Sequence, residues 1–196
     1  MGRLKELNLC YCALVNGVIV LEILCSEMPS LEVFRADYVS DLDMIQDPRP
    51  WSCVGLKELR LAFILPGRVR TIGEGGGGGE GSNSDNIVFT QLSRLTHLRR
   101  LSTSLTGVLY HHDNGQIQLP EVQDRPDYCM SFTLDRGLDR LKSLKQLEEI
   151  LGHRYHLTPW TEAEACWILK HWVSLKQFHD FVMDPIASEL LKNKEW

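Results

Sequence analysis

Cys53-Val54-Gly55-Leu56-Lys57-Glu58-Leu59-Arg60-Leu61 reads C-x-x-L-x-x-L-x-L, and the reading of this stretch decides the fold. Leucines at i, i+3 and i+5 do not share one face of a regular helix, and only the last pair fits the two-residue alternation of a strand. The pattern predicts a turn running into a short strand, with Leu59 and Leu61 pointing inward. Degenerate copies occur at Leu4-Leu7-Leu9, Leu31-Phe34-Ala36, Leu98-Leu101-Thr103, Leu147-Ile150-Gly152 and, most weakly, Leu175-Phe178-Asp180.

The steps between the leading leucines are 27, 25, 42, 49 and 28 residues. Three of them fall in the period of about 20 to 29 residues of leucine-rich repeats, where each coil is one strand and one return segment. One copy would say little, but several at this spacing predict a solenoid in which each coil buries its apolar side against the next. The expected fold is therefore α/β: a leucine-rich-repeat solenoid, a horseshoe fragment with parallel strands on its concave face, five or six repeats and two insertions in one domain over residues 1–196. The first insertion, 67–86, contains Gly73 to Ser84 without an apolar residue and is expected to be a disordered loop. The second is 107–128; the long step there also leaves open a degenerate repeat around Cys129 to Leu134.

Return segments follow from apolar spacing. Val15 to Ser26 offers Val18, Leu21, Ile23 and Leu24; Val39 to Asp47 is weaker; Ile87 to Thr96 offers Val88, Leu92 and Leu95; Gly137 to Leu144 reads as a short helix. Thr158-Pro159-Trp160-Thr161 starts a helix running to about Trp172, because Thr161 and Glu164 have capping-box spacing. Ala165, Ile168, Leu169 and Trp172 are its core face, and Trp51, Trp160 and Trp167 also read as packing residues. Residues 184–196 are expected to form a C-terminal cap, which an open coil requires.

Composition bounds function. The chain has 196 residues, 43% hydrophobic and 24% charged, and a net charge of -5. That balance argues against a phosphate-backbone binder, and Arg99-Arg100 is too short to reverse it. Six cysteines at irregular spacing, with Cys12 and Cys53 at repeat positions, predict free thiols and a reducing compartment. The run from Ala13 to Cys25 is interrupted by Asn16 and Glu22 and is too short to span a bilayer. No signal peptide is read before the first repeat. A cytoplasmic or nuclear protein with no nucleic-acid or membrane partner is expected.

Motifs for chemistry are weak. Gly73-x-Gly75-x-x-Gly78 matches a dinucleotide fingerprint in letters but lies in a glycine run, without the strand before it and helix after it that the pyrophosphate needs. Cys10-x-Cys12 with His153 and His156 lacks the paired knuckles of structural zinc. His111-His112-Asp113 runs into the turn pair Asn114-Gly115. No catalytic residue, cofactor or metal is expected.

The stretch Trp51 to Leu61, then Leu92 to Leu98, Gly137 to Leu147 and the helix Glu162 to Trp172, resemble the leucine-rich-repeat region of fungal F-box proteins, which is ribonuclease-inhibitor-like. That resemblance implies a substrate-recognition arm of an SCF-type ubiquitin ligase, binding a target protein without doing chemistry. The F-box itself is absent: Leu21-Glu22-Ile23-Leu24 echoes its opening, but inside a return segment. Contact with the ligase adaptor would need a missing N-terminal F-box. The alternatives are a free-standing repeat scaffold, or a GTPase activator using Arg99 or Arg100.

The binding surface follows from strand geometry. If the leucines point in, the residues beside them face the concave side: Glu6, Asn8 and Cys10; Val33, Arg35 and Asp37; Glu58, Arg60 and Ala62; Arg100, Ser102 and Ser104; Glu149, Leu151 and His153. Asn8, Arg35, Asp37, Glu58, Arg60, Arg100, Ser102, Glu149 and His153 are the candidate protein-binding set, led by the three arginines because arginine is favoured at interfaces. The alternative is that these charges pair with each other as a solvated ladder.

Overall fold

The computed structural model describes residues 4–12, 14–26, 28–64, 82–103, 112–113, 116–117, 130–152 and 158–193. In chain order the elements are β1 (Glu6–Asn8), α1 (Gly17–Cys25), β2 (Val33–Ser40), α2 (Asp41–Gln46), β3 (Glu58–Ile64), α3 (Ser82–Ser93), β4 (Arg100–Ser102), β5 (His112–Asp113) and β6 (Gln116–Ile117). Two 3-10 turns, Leu134–Arg136 and Leu138–Ser143, precede β7 (Glu149–Leu151), α4 (Glu162–His171), β8 (Gln177–His179) and α5 (Pro185–Lys192). Six strands form one sheet in the order β1-β2-β3-β4-β7-β8, every pair parallel. Among the described residues the sheet is open, with β1 and β8 at its edges, and the class is α/β. β5 and β6 form a separate antiparallel pair.

The leading leucines set the register. In each turn the N–H of Leu31, Leu56, Leu98, Leu147 or Leu175 donates to the carbonyl three residues earlier, on Met28, Cys53, Leu95, Leu144 or Trp172. All five leucines are buried. One residue further on, the carbonyls of Lys5, Glu32, Lys57, Arg99 and Glu148 each accept two N–H groups from the start of the next strand. The same arrangement at every interface puts Leu7, Phe34, Leu59, Leu101, Ile150 and Phe178 opposite one another in a single row. The four central members are buried, while Leu7 and Phe178, on the edge strands, are partly so.

Several expectations shift in detail. α1 buries Gly17, Val20, Leu21 and Leu24, an i, i+3, i+4, i+7 face, so Val18 points outward and Ile23 is only partly covered. α3 starts at Ser82, so the glycine-rich insertion expected over 67–86 cannot extend past residue 81; 65–81 lie outside the described residues. Val88, Leu92 and Leu95 are buried as the spacing predicts. In the 107–128 insertion only β5 and β6 are described. Residues 130–148 add 3-10 turns and no strand, so β4 pairs directly with β7. Cys53 is buried and bonds the carbonyl of Ile23, but Cys12 is exposed. β2 and β3 run longer than the others, with a register shift between Arg35 and Tyr38. Leu61, Ala62 and Phe63 are consecutively buried there, so Ala62, which alternation places on the open face, is covered and not available on it.

The C-terminal half packs on aromatics. Trp160 stacks on Phe181 with ring centroids 4.0 Å apart, and its Nε1–H donates to the Phe132 carbonyl. Trp172 donates to the Leu141 carbonyl. Gly152 occupies the inward position held by Leu61 in β3, and a Cβ there would come within 2.8 Å of the Phe181 ring. The ring fills the space of the missing side chain. α4 carries the expected capping box: Glu164 accepts from the Thr161 N–H and hydroxyl, and its other oxygen accepts from the Leu134 N–H. Burial alone would push the Glu164 carboxyl up, but these hydrogen bonds outweigh it and hold it below the usual carboxylate range. α5, capped by Asp184 and opened by Pro185, packs on α4 and supplies helix within the expected cap.

Two outcomes test this packing. Gly152→Ala is expected to cost about 1 to 3 kcal/mol in urea unfolding by overpacking against Phe181, and adding Phe181→Leu should recover part of that. Glu164 contributes stability above its unfolded pKa of about 4.3, and loses it as pH falls through the depressed folded value. Glu164→Gln should flatten the acid limb of stability against pH, read from thermal melts between neutral and acidic buffers.

Candidate protein-binding face

A strand sends alternate side chains to opposite faces, so the buried central row leaves two rows on the other face of the sheet. The first is Glu6, Val33, Glu58, Arg100, Glu149 and Gln177; the second is Asn8, Arg35, Arg60, Ser102, Leu151 and His179. None of the twelve is buried. Neighbouring strands lie about 4.8 Å apart, so each row spans roughly 24 Å.

Charges on this face alternate across the strands. Arg35 donates from Nη1 to Glu6 at 2.6 Å and from Nε to Glu58 at 2.7 Å. Arg100 lies 3.7 Å from Glu58 and 3.5 Å from Glu149. The run Glu6–Arg35–Glu58–Arg100–Glu149 is thus one ladder over five strands. Its tight end is the half-covered pair, with the Arg35 side chain 28% exposed and Glu58 21%. Hydrogen bonding to Glu58 raises the Arg35 pKa against the opposing cost of burial, with Glu6 adding to the effect. A second ladder lies one residue upstream, where each carbonyl accepts its two N–H groups. Glu32 is held between Lys57 at 2.7 Å and Lys5 at 3.1 Å, and Glu148 between Lys176 at 3.2 Å and Arg99 at 3.8 Å. Hydrogen bonds from Lys57, then Lys5, lower the Glu32 carboxyl.

Of the candidate set, Asn8, Arg35, Glu58, Arg60, Arg100, Ser102 and Glu149 stand together on this face. Asp37 sits at the β2 irregularity, where its carboxylate accepts the Tyr11 N–H at 2.9 Å and ties the turn after β1 to β2. His153 and Ser104 lie outside the described residues. Gln177 and His179 complete both rows and were missed. Their signal was the degenerate Leu175-Phe178 pair, whose last inward position is Asp180 at φ 60.

The thiols here are not set up as nucleophiles. Burial pushes the Cys10 thiol up, with Asp37 raising it further against Arg60 and Arg35, so it stays protonated at neutral pH. Cys25 and Cys53 are also raised, burial first. Among the described residues, no three His, Cys, Asp or Glu side chains group to hold a metal ion, and no helix is long and apolar enough to cross a membrane. On the helical side, Asp85, Asn86, Arg136, Gly137, Asp139 and Arg140 line a cavity of about 340 Å³. Buried Asp85 lies 3.9 Å from Arg136 there.

No protein-family model, curated protein or solved structure matches the chain.

Removing the tight end of the ladder tests whether it holds the strands or only decorates them. Arg35→Ala is expected to cost no more than about 1 kcal/mol at low salt. Raising ionic strength should shrink the difference from the parent, measured by urea unfolding at two salt concentrations.

Proposed function

We propose that this chain is a leucine-rich-repeat solenoid that binds a target protein on the open face of its sheet and does no chemistry itself. The observation supporting this is the shared register of six parallel strands at their central row, which presents two parallel rows of side chains at regular spacing. A ladder of alternating Glu and Arg suits recognition: the charges are held in place, and a partner's charges in the opposite order can exchange with them. Such complementarity contributes to specificity and encounter rate more than to raw affinity. Arg35, Arg60 and Arg100 are the residues expected to matter most.

The finer reading is a substrate-recognition arm related to fungal F-box proteins, acting in the cytoplasm or nucleus beside an SCF-type ubiquitin ligase. It rests on the resemblance of the repeat stretches and the α4 helix. Arg99 and Arg100 each lie near carboxylates, which supports their role in the ladders over that of a GTPase-activating arginine.

The experiment is affinity capture followed by mass spectrometry, comparing the parent with a triple Arg35→Ala, Arg60→Ala, Arg100→Ala variant. The triple variant is expected to lose the captured target at least tenfold while melting within a few degrees of the parent. Equal capture by a folded triple variant would sink the choice of face. Co-purification of a ubiquitin-ligase adaptor is expected if an F-box accompanies these repeats; a target recovered repeatedly without any adaptor would favour the free-standing scaffold.

A further inference from the structure

The rim at the N-terminal ends of the strands carries a fault in its charge order. The residues just ahead of the six strands are Lys5, Glu32, Lys57, Arg99, Glu148 and Lys176. Four of the five steps along this row join opposite charges: Lys5 to Glu32, Glu32 to Lys57, Arg99 to Glu148 and Glu148 to Lys176. The fifth, between β3 and β4, sets two cations side by side. Their backbones touch, because the Lys57 carbonyl accepts the Arg99 N–H at 2.8 Å. The two side chains are 50% and 56% exposed, and among the described residues their ion pairs run away from each other, to Glu32 and to Glu148. Like charges opposite one another on paired strands are destabilising. The surroundings add to the imbalance. On the open face β3 and β4 carry Arg60 and Arg100 against one carboxylate, Glu58. The flanking strands lean the other way, with Glu32 and Asp37 beside Arg35 at β2, and Glu148 and Glu149 beside neutral Leu151 at β7. A chain of net charge -5 thus has a positive centre on this face between two acidic flanks.

We propose that the target protein places an acidic segment across β3 and β4, with one Asp or Glu carboxylate seated between Lys57 and Arg99. This rests on the reading of the open face as a protein-binding surface, and it names the chemistry of what binds there. A carboxylate has two acceptor oxygens, so it can take one donor from each cation, and such charge-assisted bonds are the stronger kind. Its charge restores the alternation. The rim then reads Lys5, Glu32, Lys57, carboxylate, Arg99, Glu148 and Lys176, with opposite signs at every step. Further acidic side chains on the same segment meet Arg100 and Arg60. A basic segment is repelled from this centre by the same groups, which makes the fault a device for choosing partners. The free protein tolerates the repulsion because both charged heads stand in water, where it is weak and screened.

The test uses a fluorescein-labelled hexaglutamate peptide, with hexaglutamine as the neutral control, and follows anisotropy on the full chain at low and at physiological salt. The parent is expected to bind hexaglutamate saturably, more weakly at the higher salt, and to ignore hexaglutamine. Lys57→Gln combined with Arg99→Gln should weaken binding about fivefold or more, the size expected for one or two exposed ion pairs. Lys142→Gln combined with Lys170→Gln removes the same charge from exposed positions in the second 3-10 turn and in α4, and should bind as the parent does. Both double variants should melt within a few degrees of the parent. A parent that does not bind hexaglutamate, a folded Lys57→Gln, Arg99→Gln chain that binds it unchanged, equal weakening in the control pair, or displacement of the peptide by millimolar inorganic phosphate would each overturn the proposal. Those results leave the wider reading of the face standing, because target capture by the Arg35, Arg60, Arg100 variant decides that reading separately.

Discussion

The structure depends on one repeated contact: a buried leucine at the end of a tight turn, followed by a carbonyl that receives two N–H groups from the next strand. The leucine fixes where each turn ends, and the shared carbonyl fixes how far the next strand slides along its neighbour. A slip of one residue would turn every inward side chain outward, exposing Phe34, Leu59, Leu101 and Ile150 together. Burying those side chains is worth roughly 1.5 to 3 kcal/mol each, while a typical hydrogen bond contributes about 1 kcal/mol net. The apolar row therefore selects the register, and the hydrogen bonds report it.

The same contact explains how unlike segments sit side by side. The connection from β3 to β4 passes through α3, that from β4 to β7 through the β5–β6 pair and two 3-10 turns, and that from β7 to β8 through α4. Their lengths and shapes differ, yet the strands they join meet in one register. Loop closure costs grow slowly with length, so a long insertion is tolerated when its two ends are anchored by buried leucines. The connection after β7 shows the limit of variation. Gly152 yields its inward volume to Phe181, and the aromatic cluster of Phe89, Phe132, Trp160 and Phe181 replaces aliphatic packing.

Charge on the open face is organised by register as much as the core is. Arg35 reaches Glu6 and Glu58 only because β1, β2 and β3 place them on adjacent strands. In sequence those partners are 29 and 23 residues apart, and no local rule connects them. The upstream ladder of Lys5, Glu32, Lys57, Arg99, Glu148 and Lys176 arises in the same way. It leaves Lys57 and Arg99 as neighbours, each with a carboxylate on its far side. Six of the nine candidate residues belong to charged types, and their pairing is a tertiary fact.

By itself the amino-acid sequence placed the central inward row of the strands, Leu7, Phe34, Leu59, Leu101, Ile150 and Phe178, because apolar side chains at i, i+3 and i+5 recur there, while leaving open whether a further repeat lay between Thr103 and Leu147. It also specified the α4 capping box, whose partners are three residues apart. Only the tertiary structure decided the phase of α1, the early start of α3, the burial of Ala62, the completion of both rows by β8, and which glutamate holds which arginine. Each of these depends on the shape or charge of a group far away in the chain. A sequence pattern reads what a residue does to its near neighbours, and packing decides what distant residues do to each other.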